Sequence, residues 1–301
     1  MKSPAPAPAP PDERPITRRA RPLLGTLVEM AAEASPAVFT RAFATVEKVQ
    51  ALMSYHDPAS ELSRLNREAA AGPVTVSGWT WEVLRAALDL AAETDGVFDP
   101  TVAPRLTALG FLPPIEGAPR ADGRATWRDV ELAARNRVRF HRPLRLDLGG
   151  IAKGFAVDRA VEVLQKAGVA AGVVNAGGDL RAFGPTEWPV EIRHPNEPGM
   201  SAGSVGVRDA ALATSAGYFA RRRHAGREIT ALLDGRTREP LAADTSVSVI
   251  APSALLADAL TKVVFALGAA SDSILQRHGA SALVLDSRGF RAIPPIHHHA
   301  A

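Results

Sequence analysis

The sequence predicts an α+β fold, and three observations carry that expectation. Amphipathic helical stretches dominate the first third. A series of short strand-like segments after residue 138 does not alternate strictly with helices, and a late apolar helix is followed by a hairpin pattern. With 301 residues, 46% of them apolar, the chain is long enough for one large domain or two. A chain of this size buries roughly 75% of its unfolded surface, so folding needs no covalent or metal staple. Cysteine is absent, which excludes disulfides, thiolate metal sites and a cysteine nucleophile. A formal charge of +3 is too slight to imply a nucleic-acid partner.

Residues 1–22 read as an Ala/Pro-rich arm, extended and disordered, with Arg18, Arg19 and Arg21 as its basic cluster. The folded body is expected over residues 23–293, with 294–301, including His297–His299, as a tail. Leu24 to Met30 partly alternates like a strand. Ser35-Pro36 supplies an N-cap and a first-turn proline, and Phe39, Phe43, Val46 and Met53 mark a core-facing helix to Met53. A polar loop is expected from Ser54 to Asn66, then a short strand at Val74–Val76. A second helix carries Trp81, Leu84, Leu88 and Ala91 and stops at Asp95-Gly96.

Beyond a Pro/Gly-rich stretch, strands are expected at Val138–Phe140 and Leu144–Asp147, and a helix over Gly154–Lys166. A buried strand follows at Val173–Asn175, then a meander through Val190–Arg193, Ser204–Val207 and Ala211–Thr214. Thr245–Ile250 is a strand and Ser253–Leu267 a helix. Asp286-Ser287-Arg288-Gly289 joins the last two strands as a hairpin turn. No stretch approaches the ~18 continuous apolar residues of a membrane span. The N-terminus lacks an apolar secretory core, so the expected compartment is the cytoplasm, or the periplasm if an export signal lies outside this sequence.

The chemistry-bearing residues concentrate in Asp147-Leu148-Gly149-Gly150-Ile151-Ala152-Lys153-Gly154, at a strand-to-helix junction, and in Asn175-Ala176-Gly177-Gly178-Asp179 at the end of the next strand. Glycines admit close backbone approach, a helix N-terminus offers N–H groups to anionic oxygens, and Lys153 adds a point charge. The combination suits a phosphate or pyrophosphate, although glycine-rich strand ends are also ordinary turns. Asp99, between Phe98 and Pro100, is either an Asx-turn residue or a carboxylate that accepts from a ligand. Asp258 sits in an otherwise apolar helix and needs either Lys262, one turn on, or a hard cation.

These segments, in this order, resemble the FAD:protein FMN transferase (ApbE) family from Leu24 to about Gly268. The similar segments are Leu24-Gly25-Thr26, Ser60 to Asn66, Phe98 to Val102, Asp147 to Ala156, Val174 to Arg181, Ala213-Thr214-Ser215 and Ala257-Asp258-Ala259-Leu260. The resemblance implies intertwined α/β parts with mixed, largely antiparallel sheets and flanking helices. It implies Mg²⁺-dependent cleavage of FAD, with FMN passing to a Ser or Thr of a partner flavoprotein and AMP leaving. Asp258 and Lys153 would be the catalytic groups. Leu24, His56, Val97, Phe98, Asp99, Asp147, Lys153 and Leu232 would hold FAD, and Gly150, Asp258 and Thr261 would face the metal.

Three positions depart from the family pattern. Ala231 stands where the family carries a histidine, leaving His224 and Asp234 as substitutes for a base. Lys262 stands where the metal-site threonine is expected, with Thr261 one place early, and Leu24 replaces a methionine. These changes keep two alternatives beside transfer: an FAD pyrophosphatase, and an FAD-binding protein without turnover.

Overall fold

The computed structural model describes residues 16–294, apart from 196, 198 and 225. The first half runs β1 (Thr17–Leu23), β2 (Thr26–Ala32), α1 (Pro36–Met53), α2 (Glu61–Glu68), β3 (Val74–Thr75), α3 (Gly78–Glu93), α4 (Ala103–Ala108), β4 (Val130–Ala133) and β5 (Arg137–Phe140). The second half runs α5 (Ala152–Lys166), β6 (Gly172–Ala176), β7 (Asp179–Phe183), β8 (Trp188–Arg193), β9 (Ser201–Val207), β10 (Ala211–Ala216), β11 (Arg221–His224) and β12 (Arg227–Thr230). It closes with β13 (Ser246–Ala251), α6 (Ala254–Leu267), α7 (Asp272–Arg277), β14 (Ser281–Asp286) and β15 (Gly289–Ile293).

The main sheet has eight strands in the order β1-β2-β6-β7-β10-β13-β14-β15, and every registered pair in it is antiparallel. This is the α+β class expected. The two-residue period of the strands decides what each face meets. Along β7 and β10, Arg181, Ala211 and Ala213 face the helices, and α1, α5 and α6 pack side by side there. Leu180, Ala182 and Leu212 point the other way, into a smaller core closed by Ile192 and Val207 of the β8–β9 ribbon. The expected meander therefore splits: β8 and β9 form their own ribbon, while β10 joins the main sheet. Two further small sheets, β3-β5-β4 and β11-β12, complete the described residues.

Several boundaries differ from expectation for identifiable reasons. Residues 17–22 belong to no arm. They form β1, paired from Thr17↔Ala32 to Leu23↔Thr26 across a tight turn in which Leu24 and Gly25 both take positive φ (56° and 71°). Residues 1–15 and 295–301, including His297–His299, lie outside the described residues. The expected loop over Ser54–Asn66 contains α2, capped by the Ser60 hydroxyl, which accepts from the Ser63 N–H at 3.0 Å. Leu62 and Leu65 are its only buried apolar residues, beside buried Ser63 and Asn66, too little apolar periodicity to reveal a helix. Leu144–Asp147 forms no strand. Its polar groups go instead to the Asn66 side chain, which bonds Leu146 N–H (2.7 Å) and C=O (2.9 Å), and to Pro100 C=O (2.8 Å from Asp147 N).

The helical stretch Ala254–Arg277 has the length and apolar composition of a membrane span. Half of it is buried, α6 packing against α5, β10 and β13 as a core helix does. Asp158 of α5 fixes where α6 begins. Its carboxylate accepts from the N–H groups of Ala254 (3.0 Å) and Leu255 (2.9 Å) and pairs with Arg181 at 2.8 Å. Gly154 lies where α5 crosses α6, and a Cβ there would overlap the Ala254 carbonyl.

Candidate functional site

Three elements converge on one buried charge network. Asp179 begins β7 and shares the face of Arg181, so its carboxylate meets Lys153 in the first turn of α5. Asp258, on α6, is fully buried; its Oδ2 accepts from the Gly154 N–H at 3.2 Å and lies 3.8 Å from the Lys153 Nζ. Lys262, one turn along α6, donates to Asp258 Oδ1 and, at 2.9 Å, to the Asp258 main-chain carbonyl. Thr261 donates to that same carbonyl at 2.7 Å and bonds Ser215 of β10 at 2.7 Å.

The electrostatics follow from this arrangement. Burial would raise the Asp258 carboxyl, but Lys153 and Lys262 hold it below its ordinary value. Burial would lower the Lys153 ammonium, yet Asp258 and Asp179 hold it above its ordinary value. Asp179 is pushed up, first by burial and then by the Asp258 charge, which outweigh its lysine partner.

In front of this network lies a cleft of about 320 Å³. Val97, Phe98 and Asp99, the turn of Asp147, Gly149 and Gly150, and the segment Ala231, Leu232 and Leu233 line it, and that last segment is joined to the first where the Gly235 N–H donates to the Val97 carbonyl at 3.0 Å. Lys262 lines the cleft and is the link to the buried network. The Asn66 clamp and Pro100 hold Asp147 at the turn, where its carboxylate accepts from the Gly149 N–H at 3.0 Å. Burial pushes the Asp147 carboxyl up, against Gly149, His56 and Lys262, which pull it down. Asp99 is buried and also raised, chiefly by desolvation, while its Oδ1 accepts from Thr101 N–H at 2.7 Å. The Asx turn and the cleft wall thus coincide in one residue.

Of the expected flavin residues, Val97, Phe98, Asp99, Asp147 and Leu232 line the cleft. Lys153 stands behind it on Asp179. His56 is exposed, packed edge-on against Tyr55, and close enough to Asp147 to act on its charge. Leu24 lies away from the cleft lining, at the β1–β2 turn, where its N–H donates to Gln50 Oε1 at 2.6 Å. Ala231 faces the cleft, while His224 is exposed on β11 and Asp234 is tied to Arg236 at 3.0 Å. Neither of those two lines the cleft.

Sequence reasoning missed Asp179 as a partner of Lys153, although it ends the Asn175–Asp179 motif. It also missed the α4 wall formed by Leu106, with Phe111 and Leu112 beyond it, because six residues of helix leave no readable period. A larger cleft of about 620 Å³ opens on the opposite sheet face, but its charged residues (Arg18, Arg19, Glu29, Glu191 and Arg193) are all solvent-exposed.

The expected magnesium set does not fit as it stands. Each Asp258 oxygen already faces an ammonium group, the Thr261 hydroxyl is engaged twice, and the Lys262 stem lies over Gly150, 3.3 Å from where a Cβ would stand. Among the described residues, no group of three or more His, Asp or Glu side chains is arranged to hold a metal ion.

Comparison with known proteins agrees with the geometry. The sequence matches the ApbE family over residues 24–284. It is 30% identical to a Treponema pallidum protein named FAD:protein FMN transferase, over 89% of this chain and 83% of that one. It is 32% identical to a Rhodobacter capsulatus protein of the same name, covering 82% of this chain and half of that one. The fold superposes on the crystal structure of the ApbE protein from Thermotoga maritima with a TM-score of 0.80 and 27% identity, covering 91% and 96% of the two chains. A flavin transferase ApbE from Vibrio cholerae gives a TM-score of 0.73 at 25% identity, over 92% and 97%.

Proposed function

The chain belongs to the ApbE family, and on that premise we propose that it is a flavin transferase which splits FAD and passes FMN to a Ser or Thr hydroxyl of a partner flavoprotein. The observation that carries this reading is the meeting of a glycine turn and a lysine from α6 at one cleft, with a second lysine directly behind it. Transfer at a diphosphate is largely a matter of positioning and of neutralising oxygen charge. Here Lys262 and the Gly149–Gly150 backbone meet the phosphate oxygens, and Lys153 supports Asp258 and Asp179 from behind. Val97, Phe98 and Leu232 supply apolar walls, Asp99 and Asp147 accept hydrogen bonds from FAD, and His56 offers a ring to the flavin edge.

In the step itself the acceptor hydroxyl oxygen bonds to the FMN phosphorus. The bond from that phosphorus to the bridging oxygen breaks, AMP departs with the bridging oxygen, and the hydroxyl proton passes to solvent. Ala231 cannot take that proton, which points to slow turnover: loss of one positioned base typically costs on the order of 10²–10⁴ in rate. No part of this scheme is routed through a metal, since the donor set does not fit one.

The test is incubation with FAD and a candidate acceptor flavoprotein, followed by assay of AMP and of acid-stable flavin on the acceptor. Both products together are expected. AMP without labelled acceptor would make the protein an FAD pyrophosphatase, and bound FAD without AMP would make it a carrier; either result rejects transfer.

A further inference from the structure

We propose that Lys262 is a tethered cation, its ammonium occupying the place beside Asp258 that a divalent ion would need, so that the FAD diphosphate is bound without metal. The inference rests on the flavin reading above and adds to it the means of charge neutralisation.

The geometry is specific. Lys262 leaves α6 one turn after Asp258 and lays its stem over Gly150, which has no side chain to obstruct it. Its Nζ contacts Asp258 Oδ1 and, at 2.9 Å, the Asp258 carbonyl oxygen. An ammonium has three donors, so one is left for a ligand oxygen in the cleft that Lys262 lines. A magnesium ion on Oδ1 would have to lie at about 2.1 Å from that oxygen, within the space the ammonium fills. The other oxygen, Oδ2, offers no better place, because it accepts from Gly154 N–H and faces Lys153. Each of the two ammonium groups is thus set directly against Asp258, and Lys153 also against Asp179.

The experiment measures FAD affinity by quenching of flavin fluorescence, in excess EDTA and in excess magnesium chloride, for the wild-type protein and Lys262→Thr. The wild-type protein should bind FAD equally in both, within about twofold. Lys262→Thr, folded by circular dichroism, should bind roughly ten- to hundredfold more weakly in EDTA, the range a lost charged hydrogen bond commands, and should recover with magnesium. Wild-type affinity that rises tenfold or more with magnesium overturns the inference while leaving the flavin reading intact. So does a folded Lys262→Thr that binds like wild type in EDTA. If Lys262→Thr does not fold, the wild-type comparison decides alone. Failure of the wild-type protein to bind FAD under either condition rejects the flavin reading itself, and the inference with it.

Discussion

Asp258 is fully buried and engaged by Lys153, Lys262 and the Gly154 N–H, so its removal strands the Lys262 ammonium and leaves Lys153 with Asp179 alone. Breaking a buried ion pair from one side costs about 3–5 kcal/mol. Asp258→Asn should therefore lower the urea unfolding free energy by that order and abolish AMP release. Wild-type stability in the variant would mean the network contributes little. The importance of Asp258 was legible in the sequence because a lone carboxylate in an apolar helix has to find a partner. Asp179 was not legible in the same way. Its role depends on strand parity and on where α5 begins, both long-range facts, and an aspartate after two glycines reads equally well as a turn residue. His56 lies between these cases: expected among the residues that hold FAD, it is near enough to Asp147 to act on its charge but is exposed and outside the cleft lining.

At the scale of elements, the crossing of α5 and α6 is the joint that sets Lys153 against Asp258. Gly154→Ala pushes a methyl into the Ala254 carbonyl and should cost at least about 2 kcal/mol in thermal or urea unfolding, as overpacking does. A variant of unchanged stability would show that the helices part easily. A second joint ties α3 to α7: the Glu93 carboxylate accepts from Arg277 at 2.7 Å and contacts His278 at 2.8 Å. Burial would raise the Glu93 carboxyl, but His278 and Arg277 bring it below its ordinary 4.5. A carboxyl lowered in the folded state stabilises it fully above the unfolded value, and that contribution fades as pH falls through the folded value. The melting-temperature difference between wild type and Glu93→Gln should thus be present at pH 7 and shrink below about pH 4. A difference that grows on acidification would reverse the sign assigned to this pair.

Helices with long apolar stripes, such as α1 and α6, were readable to within a residue or two, because burial of one face imposes the period. The segment Leu144–Asp147 looked like a strand because apolar and charged residues alternate along it, yet the backbone bonds of Leu146 go to a side chain, which no local pattern announces. Equally hidden was β1, an edge strand whose Arg18 and Arg19 are exposed and whose burial shows no regular alternation.

Across the whole molecule, the site draws on residues 97–99, 147–154, 179, 231–233 and 258–262, far apart in the chain and brought together by the fold. The motifs could be read singly in the sequence, but the cleft also depends on α4, which carried no signal, and on the residues around Ala231, which were legible only through the family resemblance. The most direct test is a crystal structure after soaking in FAD. The diphosphate should lie against the Gly149–Gly150 turn, with an oxygen within hydrogen-bonding distance of Lys262 Nζ. A diphosphate bound on the opposite sheet face, or flavin anchored with its phosphates away from that lysine, would contradict the assignment.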